Sequence, residues 1–347
     1  MYCVIAFIFF VTIQIHAYDL TLIKPCVQVS ASYEYSSFKA DDFFNIELLK
    51  NNAAIAQRLN DISEQSYVED SVRGYIFTRF FNRQSKKLLV IGGGFPTPCE
   101  RLAPFLSIFS EFDILLFDYQ GMGKSYQPKS FLGSRMYQYF GVDMFQTSLG
   151  VNEHGTIQTI VDDIRKYYSY DKIYGLGLCF SSYIFAQAQA ENPSLFDKLI
   201  LDGSWPTLEY PLAKIVAYPS LIFGQQPPFS PCLCITDSSI IKMISLALVS
   251  RVTGTDICSA PSLASILKKV LCPVLFIQCK DDCYCPEDVF DDLVQSTATH
   301  FKVVIKTNNM HGRNHIKDKE LYAMLGNAFF NQDSDVFGFL MKQYFNE

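Results

Sequence analysis

Hydrophobic positions along the chain fall into short continuous runs separated by faces of helical spacing, and the two alternate. Lys87-Leu-Leu-Val-Ile91, Asp113-Ile-Leu-Leu-Phe117, Lys198-Leu-Ile-Leu201, Pro273-Val-Leu-Phe-Ile-Gln278 and Phe301-Lys-Val-Val-Ile305 are apolar runs of the kind buried on both sides of a sheet. Gly74-Tyr-Ile-Phe-Thr-Arg-Phe80 and the short run Lys172-Ile-Tyr174 add two further strands. Leu102, Phe105, Leu106 and Phe109 give a helical face, as do Ile157, Ile160, Val161, Ile164, Tyr167 and Tyr168. A helix is also expected over Tyr183-Ile-Phe-Ala-Gln-Ala-Gln-Ala190.

Strands that alternate with helices at this spacing predict βαβ units, hence an α/β fold with a mainly parallel sheet and helices on both of its faces. Residues 206–270 break the rhythm with many Pro, Gly and Ser around an apolar run at 239–249. They read as a helical cap inserted over the C-terminal edge of the sheet, the edge at which ligands bind in open α/β sheets. Residues 126–153 read as irregular, and a last helix is expected over 334–345. Residues 18–71 read as an N-terminal extension to a domain spanning 72–347, with a helix over 41–60 carried by Phe44, Leu48, Ile55 and Leu59.

Before Asp19 the chain carries no Lys, Arg, Asp or Glu, and Cys3 to Val11 is continuously apolar. With Ile15-His-Ala17 as a cleavage-like end, residues 1–17 are expected to be a signal peptide or an N-terminal membrane anchor. Export, or membrane association through this segment, follows. The 347 residues are 49% hydrophobic, which opposes disorder and suffices to bury a large core. A net charge of −6 without a Lys/Arg block argues against nucleic acid as a partner. Of the 11 cysteines, Cys279, Cys283 and Cys285 crowd one stretch and Cys232 and Cys234 form a C-x-C. Neither spacing suits zinc, and most are expected to be small buried hydrophobes. No metal or other cofactor is called for.

Candidate chemistry centres on Gly175-Leu-Gly-Leu-Cys-Phe-Ser-Ser182, which lies between a strand and a helix. A small residue two positions before Cys179 (Gly177) and another two after it (Ser181) are what a sharp strand-to-helix turn needs. Such a turn presents Cys179 at the N-terminus of the helix, where the dipole and free N–H groups favour a thiolate. Gly92-Gly-Gly-Phe-Pro96 follows a strand and lets the backbone approach a substrate. Asp282 lies just past the Pro273 strand and is the candidate to orient a histidine, with Asp281 and Asp202 as rivals. His311 follows the last strand and is the candidate base, with His315 behind it.

The order nucleophile, acid, histidine resembles that of the α/β-hydrolase superfamily, from about residue 72 to the end. The residues carrying the likeness are Gly93-Gly-Phe-Pro96, Asp118-Tyr-Gln-Gly-Met-Gly-Lys-Ser125, Gly177-Leu-Cys-Phe-Ser181, Asp282 with Cys285-Pro286, and His311. The resemblance implies an oxyanion hole made by the N–H groups of Phe95 and Phe180. The chain departs at three positions: Gly93 stands where many members have His, Ser181 where the elbow has Gly, and Cys179 where it has Ser. In its nucleophile it is similar to dienelactone hydrolases and polyhydroxyalkanoate synthases. A Cys-His-Asp site implies an acyl-thioester intermediate and a small acyl substrate, for which the apolar residues of 206–270 favour an apolar acyl chain. Because thioesters also acylate amines, thiols and alcohols, an acyltransferase is the second reading. A catalytically inactive binding or membrane-surface module is the third.

Overall fold

The computed structural model describes residues 63–70, 74–212, 246–247, 249–280, 282, 284–285, 287–309, 311–333 and 337. Residues 1–17, the helix expected over 41–60, Asp281, Cys283, Pro286, the C-x-C pair and the core of the cap insertion lie outside them, as does the helix over 334–345 apart from Phe337.

Eight strands make one sheet: β1 (Glu64–Asp70), β2 (Gly74–Phe81), β3 (Lys87–Gly92), β4 (Asp113–Phe117), β5 (Lys172–Leu178), β6 (Lys198–Asp202), β7 (Val274–Cys279) and β8 (Lys302–Thr307). Their spatial order is β1-β2-β4-β3-β5-β6-β7-β8. β1 and β2 pair antiparallel, β2 joins β4 antiparallel, and every pairing from β4 to β8 is parallel. Among the described residues five helices have ten residues or more, α1 (Phe131–Phe140), α2 (His154–Arg165), α3 (Phe180–Glu191), α4 (Glu287–Ser296) and α5 (Lys319–Asn331), and α2 to α5 pack on the sheet.

Strand alternation divides the core in two. Leu88 and Val90 of β3 face one apolar cluster with Ile157, Ile160 and Val161 of α2, Ile184 and Phe185 of α3, and Phe290 of α4. Leu89 and Ile91 face the other, with Phe105, Phe109, Tyr322, Leu325 and Phe329. Each fully buried Leu, Ile or Phe contributes about 1.5–3 kcal/mol relative to exposure, so both faces of the sheet must stay covered. This is the α/β architecture that the apolar pattern predicts.

Three elements differ from the sequence reading. β1 lies inside the expected N-terminal extension; it is an edge strand with only Val68 and Asp70 buried, so it carries little apolar signal. α1 lies in the stretch read as irregular. It starts at Ser130, whose hydroxyl accepts from the Gly133 N–H, and ends at Gly141 in the left-handed conformation (φ 71°). The face at Leu102 to Phe109 is not one helix but two short turns, Cys99–Leu102 and Phe105–Ile108, each preceded by a proline.

After β3 the chain crosses to β4 on one side, and β5 then returns on the other. The crevice of an α/β sheet opens at this switch, at the C-terminal ends of β3 and β5. Gly92 and Gly177 are paired at those two ends, so the glycine turn and the Cys179 turn are brought side by side.

Candidate active site

Cys179 is the single residue between β5 and α3, and its backbone is held at φ 54°, ψ −113°. A side-chain-bearing residue at positive φ costs on the order of 1–3 kcal/mol and persists only where its surroundings fix it. Here the Cys179 N–H donates to the Asp202 carbonyl at 2.7 Å, and its own carbonyl accepts from the Ser182 N–H at 3.0 Å and the Ser182 hydroxyl at 2.6 Å. Gly177 is required: a Cβ there would lie 2.6 Å from the Ser181 carbonyl oxygen and 2.8 Å from Ser182 Cα. The turn is the strained elbow that the spacing Gly177, Cys179, Ser181 predicts. Cys179 is partly exposed while Phe180 and Ser181 are buried.

The glycine turn lies against the sulfur. A Cβ built on Gly94 would sit 3.4 Å from Cys179 Sγ. The turn is closed by Thr97 N–H to the Gly94 carbonyl at 2.7 Å, and the Phe95 ring packs edge-on to Phe180 at 5.6 Å between centroids. Phe95 lies outside any helix or strand. Phe180 opens α3, so its N–H has no acceptor within the helix.

Asp282 and His311 meet. The His311 Nδ1 to Asp282 Oδ2 distance is 2.6 Å, and the Asp282 side chain is fully buried. Asp282 also accepts from Gln278 Nε2 at 2.7 Å and from the Tyr284 N–H at 2.8 Å, so its lone pairs are fixed on three donors. On the other side of the imidazole, Nε2 is buried and makes no regular hydrogen bond, which leaves it for the thiol. Burial opposes the imidazolium of His311, but the charges of Asp282 and Cys179 and the hydrogen bond to Asp282 outweigh it and hold His311 well above its usual range. Gly203 (φ 69°) makes room for the ring; a Cβ there would lie 2.9 Å from His311 Cε1. Tyr284 flanks it at 4.6 Å between centroids.

The rivals have other places. His315 is buried against Phe105 at 4.4 Å, and burial, with Arg313, pushes it down to about 4. Asp202 is fully buried beneath the site, where its Oδ1 accepts from Asn314 Nδ2 at 2.8 Å. Burial pushes Asp202 up to about 6, against the pull of Asn314 and of the His311 charge. The folded state therefore holds that proton more tightly, and stability falls as pH rises from 3.8 through about 6. Asp202→Asn keeps the acceptor for Asn314 and removes the buried charge. It is expected to stabilise the protein at pH 8 by up to about 3 kcal/mol and to flatten that acid slope. Thermal unfolding from pH 4 to 8 measures both, and an unchanged slope would refute the assignment.

Sequence reasoning gave no role to Gln278, Asn314 or Tyr119, and took Ser181 only as the small residue that the elbow turn needs. Gln278 joins the acid to the loop after β6: its Oε1 accepts from the Ser204 N–H at 3.2 Å. Asn314 closes the histidine loop, accepting from Thr307 Oγ1 at 2.7 Å while it donates to Asp202. The motif at Asp118 is structural. Its carboxylate accepts from the Cys99 N–H at 2.6 Å and the Lys124 N–H at 2.7 Å, and Ser125 bonds back to the Asp118 carbonyl at 2.7 Å. Cys99, Cys279 and Cys285 are buried free thiols, and burial pushes Cys279 up to about 12. Among the described residues, Cys99, Glu100 and Asp118 bring three ligand-type atoms within 4.8 Å of one another. Glu100 there already pairs with Arg79 at 3.1 Å and Lys124 at 3.7 Å, and Asp118 holds its two N–H donors. The group is thus occupied by the protein's own cations and amides. No described helix is long and apolar enough to cross a membrane.

The sheet order, the elbow and the Asp282–His311 pair define an α/β-hydrolase fold, and solved structures agree. The chain is similar to the esterase Pf2001 of Pyrococcus furiosus (TM-score 0.59, 13% identity, covering 80% of this chain and 94% of that one). It is similar to a hydrolase from Pseudomonas aeruginosa (0.53, 16%, covering 78% and 99%) and to a thermophilic esterase from Thermogutta terrifontis (0.52, 14%, covering 77% and 98%). No protein-family model and no curated protein sequence matches the chain.

Proposed function

We propose that this protein is an acyl hydrolase that cleaves an ester, thioester or related acyl substrate through Cys179, His311 and Asp282. The observation that carries the reading is the strained elbow at Cys179 beside a histidine whose far nitrogen is tied to a buried carboxylate at 2.6 Å. That arrangement is expensive to hold and suits a nucleophile with an oriented base. The esterase neighbours support hydrolysis as the reaction class.

In the first half-reaction the proton of the Cys179–His311 pair rests on His311 Nε2 and the Cys179 sulfur attacks the acyl carbon. The carbonyl oxygen becomes an oxyanion facing the N–H groups of Phe95 and Phe180. As the oxyanion collapses, the bond to the leaving oxygen or sulfur breaks, and His311 returns the proton to that leaving group. In the second half, water gives a proton to His311 and its oxygen attacks the thioester carbon. The S–C bond then breaks, and the proton remains with the Cys179–His311 pair. Asp282 keeps Nδ1 protonated and stabilises the imidazolium in both halves.

Incubation with p-nitrophenyl acetate tests this. An acetyl adduct is expected on Cys179 by peptide mass mapping, followed by release of acetate in buffer alone. An adduct that turns over only when an amine or thiol is added would replace hydrolysis by acyl transfer. Failure of the folded, reduced protein to acquire any adduct would support a binding module instead.

A further inference from the structure

We propose that Ser181 and Tyr119 are positioning residues that lock the oxyanion turn to the nucleophile elbow, a role that rests on the acyl-enzyme reading above. Ser181 sits in the first turn of α3, at the position where the elbow pattern has glycine. Its hydroxyl donates to the Gly93 carbonyl and pairs with the Tyr119 hydroxyl at 2.8 Å. A carbonyl can only accept, so the Ser181 proton lies toward Gly93 and Tyr119 supplies the proton on the other side. The order is Tyr119 O–H to Ser181 O–H to Gly93 O=C. Both hydroxyls are buried, and the Tyr119 ring is gripped by Phe117 and Phe180 at 4.9 and 5.3 Å. Burial keeps the Tyr119 phenol protonated, far above its usual range.

Gly93 is the first residue beyond the β3–β5 ladder, which ends at the Gly92–Gly177 pair. Its carbonyl is thus held by a side chain from the nucleophile's own helix. The next residue, Gly94, packs on the sulfur, and Phe95 follows with its N–H. A Cβ at Gly92 would lie 2.6 Å from Ser181 Oγ, so the turn is shaped around this hydroxyl. The consequence is that oxyanion donor and nucleophile keep a fixed spacing, and the serine that departs from the elbow pattern is what fixes it.

The test compares two reactions of Cys179. Acetylation by p-nitrophenyl acetate builds an oxyanion; alkylation by iodoacetamide does not. Ser181→Ala is expected to slow acetylation by about 10²-fold, with KM and the alkylation rate near those of the wild type. Tyr119→Phe is expected to slow acetylation by about tenfold. In the double variant Tyr119→Phe adds nothing, because Tyr119 acts through Ser181. If Ser181→Ala does not fold, Tyr119→Phe, which conserves volume, carries the comparison alone. Wild-type rates of acetylation in the variants would overturn the proposal, as would a parallel loss of acetylation and alkylation. A wild-type protein that is alkylated at Cys179 but never acetylated removes the acyl-enzyme reading and this role with it.

Discussion

Cys179→Ala is expected to abolish turnover of p-nitrophenyl acetate, a loss of about 10⁴-fold or more, while leaving the thermal transition nearly in place. The neighbouring hydroxyls cannot substitute. Ser181 donates to the Gly93 carbonyl and Ser182 to the Cys179 carbonyl, so each is committed to holding the elbow. Stability should change little, because alanine meets the same backbone strain at φ 54° and the sulfur is partly exposed. Steady-state rates and an unfolding curve on the same preparation decide the matter. Activity within tenfold of the wild type would sink the assignment of the nucleophile.

His311→Ala should lower turnover by roughly 10²–10⁴-fold and should also change how stability depends on pH. Burial works against a charged His311, but Asp282 and Cys179 favour it more strongly, and the folded protein keeps the proton to a pH well above 6.5. A group whose folded pKa is raised contributes stability that is complete below its unfolded pKa and is lost as pH rises through the folded one. The wild type should therefore lose stability from about pH 6.5 upward, and the alanine variant should lack that slope. His315→Ala provides the contrast. Its ring is core packing against Phe105, so its loss should lower Tm without the kinetic signature. If His315→Ala stops turnover while His311→Ala does not, the base has been misassigned.

Much of this site can be read from the chain because its parts sit where apolar runs end. The β3 run ends at Gly92, the β5 run at the elbow and the β7 run just before Asp282, so strand order and site order are the same information. What could not be read are contacts between residues far apart in sequence. Asn314 meets Asp202 across 112 positions and Ser181 meets Gly93 across 88. Neither bond leaves a periodicity or a local motif. The chain itself favours His311 over His315 by its place after the last strand, and packing shows the contrast: four residues apart, one lies on a carboxylate and the other on a phenylalanine. Edge strand β1 escaped for a simpler reason. Most of its side chains face solvent, and Glu64-Gln-Ser-Tyr-Val-Glu-Asp70 has no apolar face to detect.

That strand also decides where the folded unit can be cut. β1 covers β2 over seven paired positions, from Glu64–Phe80 to Asp70–Gly74. Beginning the chain at residue 72, where the apolar pattern becomes strong, would strip this cover from β2. β2 is an aromatic-rich strand, and its backbone N–H and C=O groups would then be open to a second molecule. The polar, charged sequence that hides β1 from hydrophobic analysis is what makes it a safe outer margin. A shortened protein would exchange that margin for a self-associating one.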